Sequence, residues 1–386
     1  MVGTILFSSP SDVPNLALPG GDLHRTGCLG STAPTKPNGV AWQTNVGKDP
    51  FLPLSLAEGK IWVSQMGSAK ILGLDPVTGK SQFEFEAGQN LCSSPILHRG
   101  ILYFGTKRFG LAGGGSKVWG VDVSSKAEVF KESFSFMMEP PTPTVINENI
   151  FFAGATFTGF TKMILSDLKG KEVWSRKFNI VMPGTAAIES NKAFYVIYSK
   201  WGAGPTGGAF YNLNQTAVVL LGQDLTDGKV LWEYQAKTRS RIPVLGNASV
   251  MLGTNNGLVA LDQASGKLLW TLEEKDGNFS APAISNDIVV VGTQTGMVYS
   301  VDHANGKPRW KFQLDGSILL QPTIAGDIVL VAQAGKEGAG AILVALDLMT
   351  GKEVWRMATE TPTTPILPIN GGLLFGTTNG SVAFYR

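Results

Sequence analysis

Apolar residues fall in short runs broken by small polar turns. In the cleanest stretch, Ala281 to Ile284, Asp287 to Gly292, Gly296 to Val301 and Pro308 to Phe312 read as four successive strands, the last following the turn Asp302-His303-Ala304-Asn305-Gly306-Lys307. β-Branched residues alternating with small ones suit strands buried on both faces. The closing motif recurs: an aspartate, then an aromatic seven or eight residues on, at Asp75 to Phe83, Asp122 to Phe130, Asp167 to Trp174, Asp224 to Trp232, Asp262 to Trp270, Asp302 to Trp310 and Asp347 to Trp355. A period of roughly forty residues with strand-type runs predicts propeller blades, not helical repeats.

The turn chemistry agrees. Gly79, Gly170, Gly228, Gly266, Gly306 and Gly351 stand where the turn from third to fourth strand needs positive φ. The preceding aspartate can accept local backbone N–H bonds, and the aromatic fills the gap against the next blade. These residues read as architecture. After the seventh copy, Pro365 to Pro368, Gly372 to Gly376 and Ser381 to Tyr385 supply only three strands, and Val40 to Val46 supplies the missing fourth. The expected fold is therefore all-β: an eight-bladed propeller of four-stranded antiparallel blades, a single domain over 1–386. Residues 1–39 form an N-terminal arm, 40–47 the strand that completes blade eight, and 48–386 blades one to eight. Such closure leaves no open sheet edge at the seam.

The pattern Leu-Asp-x-x-x-Gly-Lys-x-x-Trp at 261–270 and 346–355, with His24-Arg25-Thr26-Gly27 followed by Ala41-Trp42, resembles the pyrroloquinoline-quinone-like repeat family (quinoprotein alcohol dehydrogenase-like). The resemblance covers about residue 24 to 386. It implies the propeller strongly and a function weakly, because this repeat serves unrelated tasks.

With 386 residues, 43% hydrophobic and 16% charged, the core suffices for one large ring. A net charge of +2, with basic residues scattered through turns, argues against a nucleic-acid partner. No window approaches eighteen apolar residues, so no membrane span is expected, and Thr4 to Phe7 is too short for a signal-peptide core. Sequons at Asn214, Asn247, Asn278 and Asn379 and the lone pair Cys28 and Cys92 point to a secreted or secretory-pathway protein whose signal peptide is absent from this chain. The two cysteines read either as one disulfide pinning the arm or as two buried thiols.

Quinone-dependent dehydrogenases of this fold carry adjacent cysteines over the cofactor and a calcium cage. Here the cysteines are far apart in sequence and no such cage is legible. His24, His98 and His303 lack ligand spacing, so no cofactor and no metal is expected. What stands out is insertion. The loop between second and third strands is minimal in blades five, six and eight but long in blades two, three, four and seven. Strand parity puts these loops and the connections between blades on one face. Glycine-rich loops also simply tolerate insertion, but Phe109, Phe160, Trp201 and Tyr211 would be costly in water-facing loops without a cover. They suggest a concave site for an apolar small molecule with a polar handle.

Three functions follow, in this order. First is a cofactor-independent enzyme: some secreted fungal propellers with quinoprotein-like repeats act as hetero-Diels-Alderases in sesquiterpene pathways, and this chain is similar in general form. Orientation of a quinone-methide-type diene against a terpene alkene would carry most of the rate. Arg108, Lys107 or Tyr211 would polarise the carbonyl. Phe109, Met138, Glu139, Phe160, Met182, Trp201, Arg239 and Arg241 would line the substrate, in a monomer or weak homodimer. Second is a protein-binding scaffold similar to the bacterial outer-membrane assembly lipoprotein. Third is a quinone-dependent dehydrogenase.

Overall fold

Each turn aspartate organises its own turn. Asp262 Oδ1 accepts from Ser265 N and Ser265 Oγ, and Asp75, Asp122, Asp224 and Asp347 do the same with their neighbours. In Asp75, Asp122, Asp262 and Asp347 these bonds outweigh the cost of burial and hold the carboxyl below the usual carboxylate range; for Asp122, bonded first by the Ser124 hydroxyl, the value falls to about 2. Such turns connect the third to the fourth strand of one sheet after another. The computed structural model describes residues 26–29, 35–108, 115–134, 142–155, 161–178, 182–183, 185–199, 202–203, 209–210, 217–236, 242–318, 320–335, 340–369 and 371–386.

The ring has eight antiparallel blades. From the axis outward, the strands of each blade are denoted a to d. Blade five, for example, runs a Val244–Gly246, b Ser249–Thr254, c Gly257–Asp262 and d Leu268–Glu273. Blade six runs Ala283–Ser285, Ile288–Gly292, Met297–Asp302 and Pro308–Gln313, within two residues of the sequence reading. Blade eight takes strands a to c from Leu367–Ile369, Gly372–Gly376 and Ser381–Tyr385, and strand d from Val40–Asn45 at the other end of the chain. The latter pairs antiparallel with Ser381–Tyr385, from Val40↔Tyr385 to Asn45↔Ser381. Among the described residues there is no helix. In blade four a two-residue hairpin, Gly202–Ala203 with Ala209–Phe210, is additional to the four-strand plan.

The core lies in the gaps between blades. One cluster packs Phe194, Leu220 and Trp232 of blade four against Leu245, Leu252 and Leu261 of blade five, and comparable clusters fill the neighbouring gaps. Turn glycine and outer aromatic form a joint across six of the eight gaps. Gly266, at φ +69, is needed twice over: a Cβ there would come within 2.5 Å of the Trp232 ring of the preceding blade. The indole tip then bonds the neighbour's turn, as in Trp232 Nε1 to Gln263 O at 3.0 Å and Trp270 Nε1 to His303 O at 2.9 Å. In blade two the glycine is replaced by Lys126, which takes φ 58 and sets its ammonium 5.4 Å from the Phe83 ring.

One such joint contains a titratable group. His303 is buried, with Nε2 2.8 Å from Ser249 Oγ in blade five. Burial holds its pKa below the ordinary value. The unfolded chain therefore takes the proton more readily, so this contribution to stability is present above about pH 6.5 and falls as the pH drops through that value. Between pH 7.5 and 5.5 the urea midpoint of the parent should fall by the equivalent of up to about 1 kcal/mol. That of H303L should fall less, since leucine occupies the corresponding turn position at Leu225 and Leu348. His98, also held down by burial, contributes the same slope to both proteins and cancels in the comparison. Equal shifts in parent and variant would refute the assignment.

The cysteine alternatives resolve as two thiols. Cys28 bridges Ile324 of blade seven, whereas Cys92 is buried in the connection into blade two, so the arm is not pinned by a disulfide.

Candidate functional site

Antiparallel pairing puts every b–c loop and every connection between blades on one face. The insertions depart from it after Arg108, Ala155, Ser199 and Gly335. Most of the residues expected to form a mouth there, Phe109, Met138, Glu139, Phe160, Trp201, Tyr211, Arg239 and Arg241, lie outside the described residues. Lys107 and Arg108 end strand b of blade two. Lys107 is buried and in register with Asn90, while Arg108 is exposed opposite Gly115. Met182 belongs to the two-residue strand Met182–Pro183, which prolongs the inner edge of blade four just as Asn90–Leu91 prolongs that of blade two. The structure thus brings two of the named residues together on one strand and sets the third two blades away.

The inside of the ring holds residues 26–29 of the arm. Thr26 O accepts from Ile284 N of blade six, Gly27 O accepts from Ile324 N of blade seven, and Leu29 N donates to Ile324 O. Leu29 then packs in the cluster of blades one and eight with Leu54 and Leu367. Gly27, at φ +63, lies so close that a Cβ would meet Gln321 Nε2 at 3.0 Å. The two cysteines that a quinone site would need side by side lie apart, Cys28 in the arm against blade seven and Cys92 in the connection into blade two, and among the described residues no three His, Cys, Asp or Glu side chains converge on one point. These residues do not fit a quinone with its calcium.

A described cleft lies on the circumference. It measures about 410 Å³, between strand d of blade four and strands c and d of blade five, and is lined by Tyr234, Thr254, Leu258, Val259, Leu272 and Glu273 among others. That is the lower end of ligand-site volumes. Its floor is apolar, with Glu273 and Lys275 exposed at its rim. Burial raises the pKa of Tyr234, so the phenol stays protonated at neutral pH and can donate. The Thr254 hydroxyl donates to Gly257 O at 2.9 Å and accepts from Asn256 N at 3.3 Å, which leaves one lone pair to accept. The sequence reading missed this cleft, whose signal is a set of small residues visible only when the blades are aligned in register.

Comparison with known proteins gives the following. The family described as "Outer membrane protein assembly factor BamB" matches residues 254–384. A curated relative, outer membrane protein assembly factor BamB of Moranella endobia (strain PCIT), is 28% identical over 166 residues, 41% of this chain and 40% of that protein. The chain therefore spans well under half the length of that relative. Among solved structures, BamB from Moraxella catarrhalis superposes with a TM-score of 0.62 at 14% identity, covering 90% of this chain and 99% of that one. The quinohemoprotein alcohol dehydrogenase ADHIIG from Pseudomonas putida HK5 gives a TM-score of 0.70 at 11% identity, covering 98% and 81%. The fold is that of the PQQ-like repeat propellers. The family match falls on the short-looped blades five, six and eight and on blade seven; the insertions of blades two to four lie outside it. No described helix is long and apolar enough to cross a membrane.

Proposed function

We propose that this protein is a binding scaffold for other polypeptides, acting in an envelope compartment as the similarity to outer-membrane assembly factors suggests. The observation that carries this reading is where space remains. The inner strands of blades six and seven are covered by Thr26 to Leu29, and the open cleft faces outward from the circumference, where a partner chain can reach it. The match to BamB over 254–384 supports the same reading. None of the relatives named above is described as a cycloaddition enzyme, and the expected cycloaddition is not carried further. Complementation tests the proposal. Supplied with an export signal, the chain should restore outer-membrane protein levels in a bacterium lacking its own BamB. No restoration, when the bacterium's own BamB expressed in the same way restores them, would overturn it.

A further inference from the structure

The cleft between blades four and five has the form of a side chain left out. Three positions before the turn aspartate, strand c points a residue into the gap toward the preceding blade. In blade two this residue is Trp119, and in blade six Tyr299. Blade five has Val259. Registers confirm the equivalence: Trp119 lies opposite Phe104, Tyr299 opposite Val291 and Val259 opposite Leu252.

Trp119 occupies its gap fully. It stacks on Phe104 at 6.4 Å, carries the ammonium groups of Lys117 and Lys131 at 5.2 and 5.1 Å, and donates Nε1–H to Thr106 Oγ1 at 2.7 Å. Tyr299 stacks on Phe279 at 6.0 Å and donates its hydroxyl to Glu274. In blade five, Gly257 and Thr271 stand in place of Lys117 and Lys131. Gly257 cannot grow, because a Cβ would sit 2.4 Å from Leu272 O. Thr254 stands in place of Thr106, so the acceptor is present and the ring is not. Blades one, three, four, seven and eight have Leu72, Ile164, Leu221, Val344 and Ala383 at this position, all buried, whereas Val259 is only partly covered.

From this we infer that the cleft is a slot for an indole or phenol side chain of a partner polypeptide, seated against Tyr234 and Val259 with its polar edge toward Thr254. The surroundings favour a polypeptide source. The same two outermost strands expose Val230, Leu231, Leu268 and Leu269 at 37, 42, 54 and 51%, a flanking apolar surface for the residues on either side of the ring. The inference rests on the scaffold reading for its partner, while the slot itself stands on the geometry of the three blades.

The test uses the full chain and two soluble peptides, acetyl-Lys-Leu-Trp-Leu-Lys-amide and its alanine counterpart, with N-acetyltryptophanamide as the free-ring control, followed by titration calorimetry and by NMR shifts of blade-five amides. The tryptophan peptide should bind at least ten-fold tighter than either control. V259W supplies the chain's own indole, and T271W lays an indole over the slot from the exposed outer strand, directly opposite Val259. Each should weaken binding at least ten-fold while leaving the melting temperature close to that of the parent; should V259W misfold, T271W decides alone. Equal affinity for the tryptophan and alanine peptides, or unchanged binding by T271W, would overturn the slot. Equal affinity for N-acetyltryptophanamide and the peptide would overturn the polypeptide source. Failed complementation with peptide binding retained removes the assembly reading alone. Complementation unimpaired by T271W removes the slot's role and leaves the scaffold.

Discussion

A chain lacking residues 1–46 is expected to lose cooperative unfolding and to aggregate. Val40–Asn45 is strand d of blade eight, and without it the wholly buried Ser381–Tyr385 becomes an open edge. The loss extends into blade one. Trp42 covers Gly79, where a Cβ would lie 2.4 Å from the ring, and Thr44 Oγ1 donates to Gly79 O at 2.7 Å. Trp42 also packs 5.8 Å from Phe384, so one segment joins the last blade to the first. Separating it exposes apolar surface in both gaps at about 25 cal/mol per Å², against a total stability of roughly 5–15 kcal/mol. A synthetic peptide of residues 35–48 should recover part of the folded signal in far-ultraviolet circular dichroism and urea titration. A truncated chain that melts as cooperatively as the parent, and within about 3 °C of it, would show that the seam does not depend on this strand.

That strand was legible because it obeys the repeat: an aromatic strand at the head of the chain matched a missing one at the tail. The same holds for the turns, whose aspartate and glycine carry chemistry that depends on neighbours in sequence. What the sequence conceals is contact at long range. Thr26–Leu29 joins blades six and seven through one backbone bond to Ile284 and two to Ile324, some 260 to 300 positions away, with no alternation to announce a strand. The cleft is concealed differently, since Val259 and Gly257 are ordinary strand residues and only the registers against Trp119 and Tyr299 reveal a ring that is not there. The glycines had one reason in sequence, positive φ, and prove to have a second, the ring of the preceding blade. The candidate residues taken from the insertions and from the connections between blades were chosen by composition, and of these Lys107, Arg108 and Met182 lie in described strands.

Replacing Trp232 with alanine should lower stability by about 3–5 kcal/mol, the range for removing a buried large aromatic. Three losses coincide: the contact with Phe194 at 5.7 Å, the cover over Gly266, and the bond to Gln263 O, whose carbonyl is left without its donor. Tryptophan-to-phenylalanine changes separate the bond from the ring. W270F should cost about 1–2 kcal/mol, because His303 O loses its partner while most of the buried area stays. The same change at Trp355 should be neutral or slightly stabilising. Its Nε1 is buried with no acceptor among the described residues, because the turn that would supply one is the seam of blade eight, where Asn38 N bonds Arg386 O across the two ends of the chain. Removing an unpaired buried donor relieves a desolvation cost instead of breaking a bond. Urea midpoints with unchanged slopes would report the three differences. A W355F protein as destabilised as W270F would mean that the indole tip carries no part of the joint between blades, and that ring packing alone holds each blade to the next.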